Sequence, residues 1–337
     1  MQQISEAIHV LYAADNQFAP VFGVSLASLL AQSKDVEQLD VSIFAMNISD
    51  RNREAIKTIC EGYSRDEPRY ISMDHLNELL GDRIQADCGS IMQYARLFIG
   101  ALPFKKVIYL DCDVLLRRSV KELWETDLKG KTVAAVPDIF SRYYRKSMEL
   151  KPTDPIYNDG VMLIDLGKWR AKHVEEKALD FIRRHFDTPL KSDLGVLNGV
   201  LSRDTMALSP KWNAVTAFFD FTYEEMIAYR RPPKYFPKEE IQDVISDPYI
   251  VHFTSSFCSF RPWEEGCKHP FVNEWVNTRE GTPWAGQDLK RPYRGLGTRI
   301  MNALPWSIAL KIATILQVYW RPIYCQVIER IRRIVRR

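Results

Sequence analysis

The sequence has no continuous apolar run of the length that a helix needs to span a bilayer, which is about 20 residues. Its 6 cysteines have neither the paired spacing of a zinc site nor the density of a secreted disulfide scaffold. The first residues lack the basic and apolar segments of a signal peptide. Internal repeats and low-complexity runs are also missing. These absences predict reduced thiols and a globular protein of the cytoplasm.

Charge of one sign is concentrated towards the end of the chain. The whole sequence has a net charge of +3, yet residues 290–337 contain 11 basic residues and one acid, Glu329, so the preceding part has a net charge of −7. Residues 323–337 place apolar side chains on one helix face and arginines on the other. A basic amphipathic helix is typical of attachment to an anionic membrane surface. A helix packed on the body and a nucleic-acid arm are the alternatives.

This charge pattern predicts two units in the chain. They are a domain at residues 1–285 and a basic amphipathic, membrane-associating tail at residues 286–337. Aromatic residues in the tail suit the headgroup zone of a bilayer. We therefore expect a peripheral protein on the inner face of the plasma membrane, with no nucleic-acid partner.

Within the first 285 residues, short apolar runs alternate with stretches of helical periodicity. Apolar runs predict strands at 8–14, 40–46, 69–73, 107–116, 132–136, 161–166 and 249–253. Helical periodicity predicts helices at 20–31, 92–100, 168–186 and 193–201, and a further helix capped by Ser49. Residues 157–160 are predicted to form a turn and residues 221–248 an inserted surface segment. This alternation predicts an α/β fold in which a mainly parallel sheet has helices on both faces.

Two acids stand inside one of these runs, VIYLDCDVLL at residues 107–116. Residues at i and i+2 of a strand point to the same side, so a strand that ends here presents Asp111 and Asp113 together at its carboxyl edge. Open α/β sheets bind ligands at that edge. Two carboxylates this close repel each other unless a cation neutralises them, and their oxygens suit Mg²⁺ and Mn²⁺. The alternative is an ordinary acidic turn or helix cap.

Other predicted strands end in polar residues that should meet at the same edge. These residues are Asp15, Asn16, Asp138, Asn158, Asp159 and His252. With their flanking motifs they resemble glycosyltransferase family 8, the retaining nucleotide-sugar transferases that include bacterial lipopolysaccharide galactosyl- and glucosyltransferases and the glycogenins. The motifs that carry the resemblance are AADN at 13–16, QYARLFI at 93–99, YLDCDVLL at 109–116, YNDGVMLIDLGKWR at 157–170, SDLGVLN at 192–198, and VHF with RPW within 251–263.

The resemblance implies a fold and a reaction. The fold is a GT-A type, Rossmann-like domain that binds a nucleotide sugar. The reaction is retaining transfer of galactose or glucose from a UDP-hexose to a hydroxyl of a lipid-linked or lipopolysaccharide-type glycan. Mn²⁺, or Mg²⁺ in its place, is expected to be held by Asp111, Asp113 and His252.

The resemblance also implies the residues that surround the donor. Those that match its nucleotide and diphosphate site are Ala14, Asp15 and Asn16 beside the uracil, then Arg96, Asp111, Cys112, Asp113 and Arg261. Those that match the catalytic pocket around the donor sugar are Asp138, Asn158, Asp159 and Asp193. Arg261 stands where the family usually carries a lysine that binds the diphosphate, and it keeps the positive charge. An Asx turn at Asp15 and helix capping by Asp193 are the ordinary alternatives.

The sequence departs from the family pattern at two places. Leu194 stands where the family usually carries a glutamine beneath the anomeric carbon, and leucine cannot be a nucleophile. The implied route is therefore front-face, with the acceptor hydroxyl attacking on the side from which UDP leaves. The loop at 253–260 lacks the family's usual glycine, which leaves its path open.

Two other functions remain as alternatives. A nucleotidyltransferase also uses paired carboxylates on such a sheet, but it usually opens with a glycine-rich, basic phosphate loop, and AADNQFAP at 13–20 is not one. A catalytically silent glycan-binding module would bind the acceptor without binding UDP or releasing it.

Overall fold

The computed structural model describes residues 7–80, 91–185, 192–292 and 295–335. The strands are β1 (Ile8–Asp15), β2 (Leu39–Met46), β3 (Arg69–Ser72), β4 (Lys106–Leu110), β5 (Val114–Leu116), β6 (Val133–Pro137), β7 (Tyr157–Asp165), β8 (Thr205–Ala207), β9 (Ala214–Val215) and β10 (Ile250–His252). The α-helices are α1 (Ala19–Gln32), α2 (Asp50–Gly62), α3 (Leu76–Leu80), α4 (Lys121–Glu125), α5 (Leu166–Ala171), α6 (Val174–Arg184), α7 (Ser192–Leu201), α8 (Ala217–Asp220), α9 (Tyr223–Arg230), α10 (Lys238–Ser246), α11 (Val272–Glu280), α12 (Leu296–Ala303), α13 (Trp306–Thr314) and α14 (Arg321–Val335). Short 3₁₀ helices lie at Ile91–Ala101, Arg142–Met148, Ser202–Asp204 and Pro210–Asn213, and a π-helical stretch lies at Ile315–Trp320.

A seven-stranded sheet forms the centre of the body, in the order β3-β2-β1-β4-β7-β6-β8. Neighbouring strands from β3 to β4 are parallel, β7 is antiparallel to β4 and β6, and β8 is parallel to β6. Because helices cover both faces of the sheet, β1 is apolar on both sides, and its Leu11 and Tyr12 are fully buried. The predicted α/β fold with a mainly parallel sheet is confirmed.

A second, three-stranded sheet has the order β5-β10-β9. β10 runs antiparallel to β5, in a register that pairs His252 with Val114. Because Asp113 directly precedes Val114, this register brings the imidazole beside the acid pair. The prediction of one strand over 107–116 is therefore wrong. The chain leaves the large sheet after β4, turns through residues 111–113, and enters the small sheet as β5.

Two further predictions around β7 differ from the structure. Residues 157–160 are not a turn but the first part of β7, where the pairing with β6 shifts register between Ala135 and Val136. On the far side of this shift Tyr157 and Asn158 still pair with Pro137 and Val136, so the polar residues of the segment stay in the strand. The helix predicted at 168–186 is two helices, α5 and α6, because His173 between them has a φ of 54°, which a right-handed helix cannot contain. The predicted last residue, Phe186, lies outside the described residues.

The segment at 221–248 is part of the body rather than a surface insertion. It forms α9 and α10, which bury Met226, Tyr229, Ile241 and Val244 in one apolar cluster. Three of its four prolines lie in the connection between the two helices, at residues 231–237, whereas most of its charged residues lie on the helices themselves. The prolines and the charged helix faces together obscure the apolar faces in the sequence.

The C-terminal helices pack against α9 with one face. Ala309, Ala313 and Val318 are buried there, and the Trp306 Nε1 donates a hydrogen bond of 2.6 Å to Glu225. A second face stays exposed. Its large apolar residues are Leu296, Ile300, Ile308, Ile315, Leu316, Trp320, Ile323, Tyr324, Val327, Ile331 and Ile334. Within the described ranges, none of the helices combines the length and the apolar character that crossing a bilayer requires.

Gly23 allows the segment after α11 to pack on α1. A Cβ atom at Gly23 would lie 2.1 Å from Cζ3 of Trp284, a side chain that is itself buried. We expect Gly23→Ala to lower the free energy of unfolding by about 1–3 kcal/mol, because the ring must move within a packed core. Urea unfolding measures this, with Gly62→Ala as the control, since nothing lies within 4 Å of a Cβ at Gly62. Equal stability of the two variants would contradict the packing of Trp284 on α1.

Candidate active site

A cleft of about 740 Å³ opens at the carboxyl ends of β1 and β4. Its volume lies in the range of pockets that hold cofactor-sized ligands. The predicted site residues that line it are Ala14, Asp15, Arg96, Asp111, Cys112, Asp113, Asp138, Asn158, Asp159, Asp193, His252 and Arg261. Asn16 does not line it, because its side-chain oxygen accepts hydrogen bonds from the Ser49 N–H and from Asn52 at the start of α2.

The structure brings the three predicted metal ligands together. One ligand atom each from Asp111, Asp113 and His252 lies within 4.8 Å of the other two. His252 Nε2 is 3.1 Å from Oδ1 of Asp113 and 3.8 Å from Oδ2 of Asp111. Two carboxylates and an imidazole suit Mn²⁺, which accepts both oxygen and nitrogen ligands, better than Mg²⁺, which prefers oxygen. The donor set therefore fits the ion that the resemblance implies.

Gly160, in β7, leaves the space that this group occupies. Its carbonyl accepts a hydrogen bond of 2.8 Å from the Asp111 N–H. A Cβ atom at Gly160 would lie 2.3 Å from His252 Cε1 and 2.9 Å from Asp111 Oδ2. Any other residue here would push two of the three side chains apart.

A buried asparagine sets the orientation of the His252 ring. Nδ1 of His252 lies 2.9 Å from Oδ1 of Asn213. Because Nδ1–H donates to that oxygen, Nε2 faces the acid pair. Asn213 is fully buried, and its Nδ2 donates to Asn158 Oδ1 at 2.7 Å. Asn158 thus anchors the histidine indirectly as well as lining the cleft.

Opposite charges shift the pKa values of this group. Burial alone would raise the pKa of Asp113, but His252 and Arg261 outweigh burial and lower it to about 2. Burial acts to lower the pKa of His252, but Asp113 outweighs that effect and raises it above 6.5. Arg261 contributes a permanent positive charge, because its Nη1 lies 2.9 Å from Oδ2 of Asp113. A metal ion would bind in competition with the proton of His252.

Arg96 holds a second set of carboxylates together. It lies on the 3₁₀ helix at Ile91–Ala101, where the sequence predicts an α-helix, and it is 6% exposed. Its guanidinium lies 2.7 Å from Asp111 Oδ1, 3.0 Å from Asp193 Oδ2 and 3.4 Å from Asp159 Oδ2. Each of the three acids thus has the same positive partner. Arg96 is therefore a buried residue of the site and not a surface arginine.

Two acids of this set have raised pKa values. Burial raises the pKa of Asp159 well above its ordinary range. Arg96 opposes this shift, but the neighbouring carboxylates of Asp193 and Asp111 add to it. Burial raises the pKa of Asp193 as well. Asp193 therefore keeps a proton more readily than an ordinary carboxyl.

The acidic turn is tied to the end of β1. Cys112 Sγ donates to the Ala13 carbonyl at 3.2 Å, and burial raises the pKa of this thiol, which stays neutral. Asp15 Oδ1 accepts from the N–H groups of Gln17 and Phe18 at 3.0 and 3.1 Å. This is the Asx turn that the sequence allows, and it leads the chain from the cleft into α1.

A second cation, Lys290, lines the cleft as Arg261 does. Its Nζ lies 5.9 Å from the centroid of the Phe18 ring, and its backbone N–H donates to the Trp263 carbonyl at 2.8 Å. The contacts of the body therefore continue past the predicted boundary at residue 285. Arg261 and Lys290 bring two positive charges to the cleft lining, which also contains one acid next to Trp263, Glu264.

Leu194 and the loop at 253–260, where the sequence departs from the family pattern, both have ordered surroundings. Leu194 lines the cleft and packs on the apolar cluster that contains Phe140. Within the loop, Ser256 Oγ donates to Asp220 Oδ2 at 2.7 Å. The loop therefore turns back on the body through Asp220.

Comparison with known proteins agrees with this geometry. The sequence model of Glycosyl transferase family 8 matches residues 9–267. The chain belongs to this family. General stress protein A of Bacillus subtilis (strain 168) is 26% identical over 287 residues, which cover 83% of this chain and 95% of that protein. Lipopolysaccharide 1,2-glucosyltransferase of Escherichia coli (strain K12) is 24% identical over 284 residues, which cover 83% and 80% of the two chains.

A solved structure shows the same fold. The crystal structure of galactosyltransferase LgtC in complex with donor and acceptor sugar analogs has a TM-score of 0.69 to this chain. The two are 22% identical, and the alignment covers 86% of this chain and 100% of that one. The predicted GT-A type architecture is thereby confirmed.

Three residues of this family 8 site were not predicted. Gly160 stands in a predicted turn, where a glycine has another explanation. Asn213 has no motif, and only its contact with His252 reveals its role. Lys290 was counted with the basic tail because of its neighbours in the sequence. Of the three, only Gly160 could have been identified from the sequence, because it directly follows the predicted site residues Asn158 and Asp159.

We expect Asn213→Leu to weaken Mn²⁺ binding by about 10- to 100-fold, because the His252 ring loses the partner that fixes its tautomer. Isothermal calorimetry with MnCl₂ measures the affinity, and thermal unfolding checks that the variant folds. Ser209→Ala, at the N-cap of the 3₁₀ helix that ends at Asn213, is the control for general disturbance of this segment. An Asn213→Leu variant with unchanged Mn²⁺ affinity would show that Asn213 does not orient the ligand.

Proposed function

We propose that this family 8 protein is a retaining hexosyltransferase that moves galactose or glucose from a UDP-sugar to a hydroxyl of a lipid-linked or lipopolysaccharide-type glycan. The observation that carries the proposal is the group of Asp111, Asp113 and His252 at the centre of the cleft. Mn²⁺ held by these ligands, or Mg²⁺ in its place, would supply charge neutralisation for a diphosphate leaving group. The similarity to lipopolysaccharide 1,2-glucosyltransferase and to galactosyltransferase LgtC supports a hexose donor.

The charges of the cleft support an ordered position for the donor. The loop that starts at Asp15 would hold the uracil. Arg261 would bind the diphosphate through two N–H groups of its guanidinium, and Lys290 would bind it through its single ammonium group. Asp138 and Asp193 would bind hydroxyls of the donor sugar. Asp138 is oriented for this role, because its Oδ2 accepts a hydrogen bond of 2.8 Å from Asn158 Nδ2.

The residues beneath the donor sugar support a front-face route. Leu194 offers no nucleophile, and the carboxylate of Asp193 is engaged by the Arg96 guanidinium at 3.0 Å, which lowers its nucleophilicity. The acceptor hydroxyl would attack the anomeric carbon on the face from which UDP leaves, and its proton would pass to the leaving phosphate. The chain's own contribution is orientation and charge stabilisation by Arg96, Arg261 and Lys290.

A UDP-release assay across nucleotide sugars tests the proposed function. We expect UDP release from UDP-galactose or UDP-glucose that requires Mn²⁺ and stops when EDTA is added. Asp113→Asn should reduce the Mn²⁺-dependent affinity for UDP by at least about a hundredfold, since it removes a direct ligand. Asp35→Asn is the control, because Asp35 is an exposed acid remote from the cleft lining.

The products separate the alternatives. Proton NMR of the transferred sugar should show the anomeric configuration of the donor. Release of pyrophosphate instead of UDP would identify a nucleotidyltransferase. Failure to bind UDP with any metal ion would identify a silent glycan-binding module, and a sugar trapped covalently on the enzyme would refute the front-face route.

We also propose that the C-terminal helices attach the enzyme to an anionic membrane surface, on the inner face of the plasma membrane. Their packing on α9 uses one face, and the other presents exposed side chains such as Ile323, which is 56% exposed, and Ile331, which is 52% exposed. The net charge of residues 290–337 is strongly positive. An exposed apolar face on a basic segment supports interfacial binding.

Replacing Ile323, Val327 and Ile331 together by serine should weaken binding to phosphatidylglycerol vesicles by roughly tenfold or more, because three apolar side chains no longer enter the interface. Co-sedimentation measures the bound fraction, and added salt should weaken binding by the wild type. The matched control replaces Leu79 and Ile245, which are exposed apolar residues outside the tail. An equal loss of vesicle binding in both variants would show that binding does not depend on the exposed face of the C-terminal helices in particular.

A further inference from the structure

One wall of the cleft has no part in the donor roles described above. It is formed by Ile139, Phe140 and the last turn of α9. Ile139 and Tyr229 share one apolar cluster, which joins the two parts of this wall. Arg230, the last residue of α9, lines the cleft here.

Arg230 is a cation without an anion. In the part of the chain that the structure describes, no carboxylate lies within ion-pair distance of its guanidinium, and its buried Nε has no hydrogen-bond partner. Its Cζ lies 4.6 Å from the centroid of the Tyr229 ring, a contact that positions the guanidinium without neutralising it. A partly buried N–H without an acceptor costs free energy until a ligand supplies one.

The groups around Arg230 indicate which ligand fits. Asp138 is the neighbouring acid of the cleft, but it already accepts a hydrogen bond from Asn158. The guanidinium offers only donors, and its buried Nε–H has no acceptor among the described residues. It therefore suits a ligand rich in acceptor atoms, such as a phosphate or a carboxylate.

We propose that Arg230 is a specificity-determining residue that binds a phosphate or carboxylate group on the acceptor glycan. This inference rests on the proposed transferase function. The diphosphate of the donor already has Arg261 and Lys290 in the cleft lining, so it needs no third cation. The acceptor has to approach the donor sugar near Asp138, and the wall that contains Arg230 adjoins that position.

The contacts of α9 with the tail fit an anionic acceptor. Glu225 of α9 accepts a hydrogen bond from Trp306, and Arg231 donates one of 2.5 Å to the Tyr319 hydroxyl. The helix that carries Arg230 thus lies between the cleft and the segment proposed to touch the membrane. An acceptor held at that membrane surface would therefore reach the cleft past α9.

Calorimetric titration of the full chain, saturated with UDP and Mn²⁺, tests the proposal. The probes are methyl glucoside, methyl glucoside 6-phosphate and methyl glucuronide, which share a ring and differ only at C6. We expect the two charged glycosides to bind at least about tenfold more tightly than the neutral one, as one charge-assisted hydrogen bond allows. Arg230→Gln should remove this preference, and Arg230→Lys should restore part of it.

Lys234→Gln is the matched control, because it removes the same charge from an exposed residue that does not line the cleft. It should leave the preference unchanged. Equal affinity of the wild type for charged and neutral glycosides would overturn the proposal, and so would a preference that Arg230→Gln retains. The titration measures binding alone, so absence of UDP release would refute the proposed transfer without affecting this result.

A lipid headgroup is the other source of the same anion. Co-sedimentation of Arg230→Gln with phosphatidylglycerol vesicles distinguishes the two sources. We expect the variant to pellet as the wild type does. A loss of vesicle binding as large as the loss of glycoside 6-phosphate binding would assign Arg230 to the membrane and overturn its assignment to the acceptor.

Discussion

The arrangement of the cleft depends on the contact of Arg96 with three carboxylates. Asp111, Asp159 and Asp193 come from a turn, a strand and a helix that are far apart in the sequence, and all three lie against this guanidinium. Like charges at such separations repel strongly in a buried site. Without Arg96 the acids would have to separate or take up protons. Because Asp111 belongs to both groups, the proposed metal ligands and the proposed sugar-binding acids form one electrostatic unit.

Features that are determined within one segment could be predicted from the sequence. The apolar run of β1 ends in turn-forming residues, and α2 begins where Ser49 accepts a hydrogen bond from the Asn52 N–H. The order of motifs identified the family, and through it most of the residues that line the cleft. The sequence pattern places Asp111 and Asp113 together, but it assigns them to one face of a single strand. In the structure they lie in a turn between two sheets, next to the proposed metal position.

Features that depend on distant pairing could not be predicted. Nothing in the local pattern of 157–165 shows that β7 lies antiparallel between β4 and β6, because a strand buried on both faces is apolar in either direction. Asn213 is an ordinary polar residue until the small sheet places it against His252. Gly160 looks like a turn residue until the two side chains that need its missing Cβ are in place. Each of these depends on a neighbour that the sequence does not place nearby.

The pairing of β10 with β5 also has a consequence for the order of folding. His252 reaches Asp113 only after the chain has closed a loop that contains β6, β7 and most of the helices of the body. Loop closure of this length costs entropy before any contact compensates for it, so such pairings tend to form late. A growing chain that has left the ribosome as far as β7 would have both aspartates but not His252. Metal binding through all three ligands would therefore report that folding is complete.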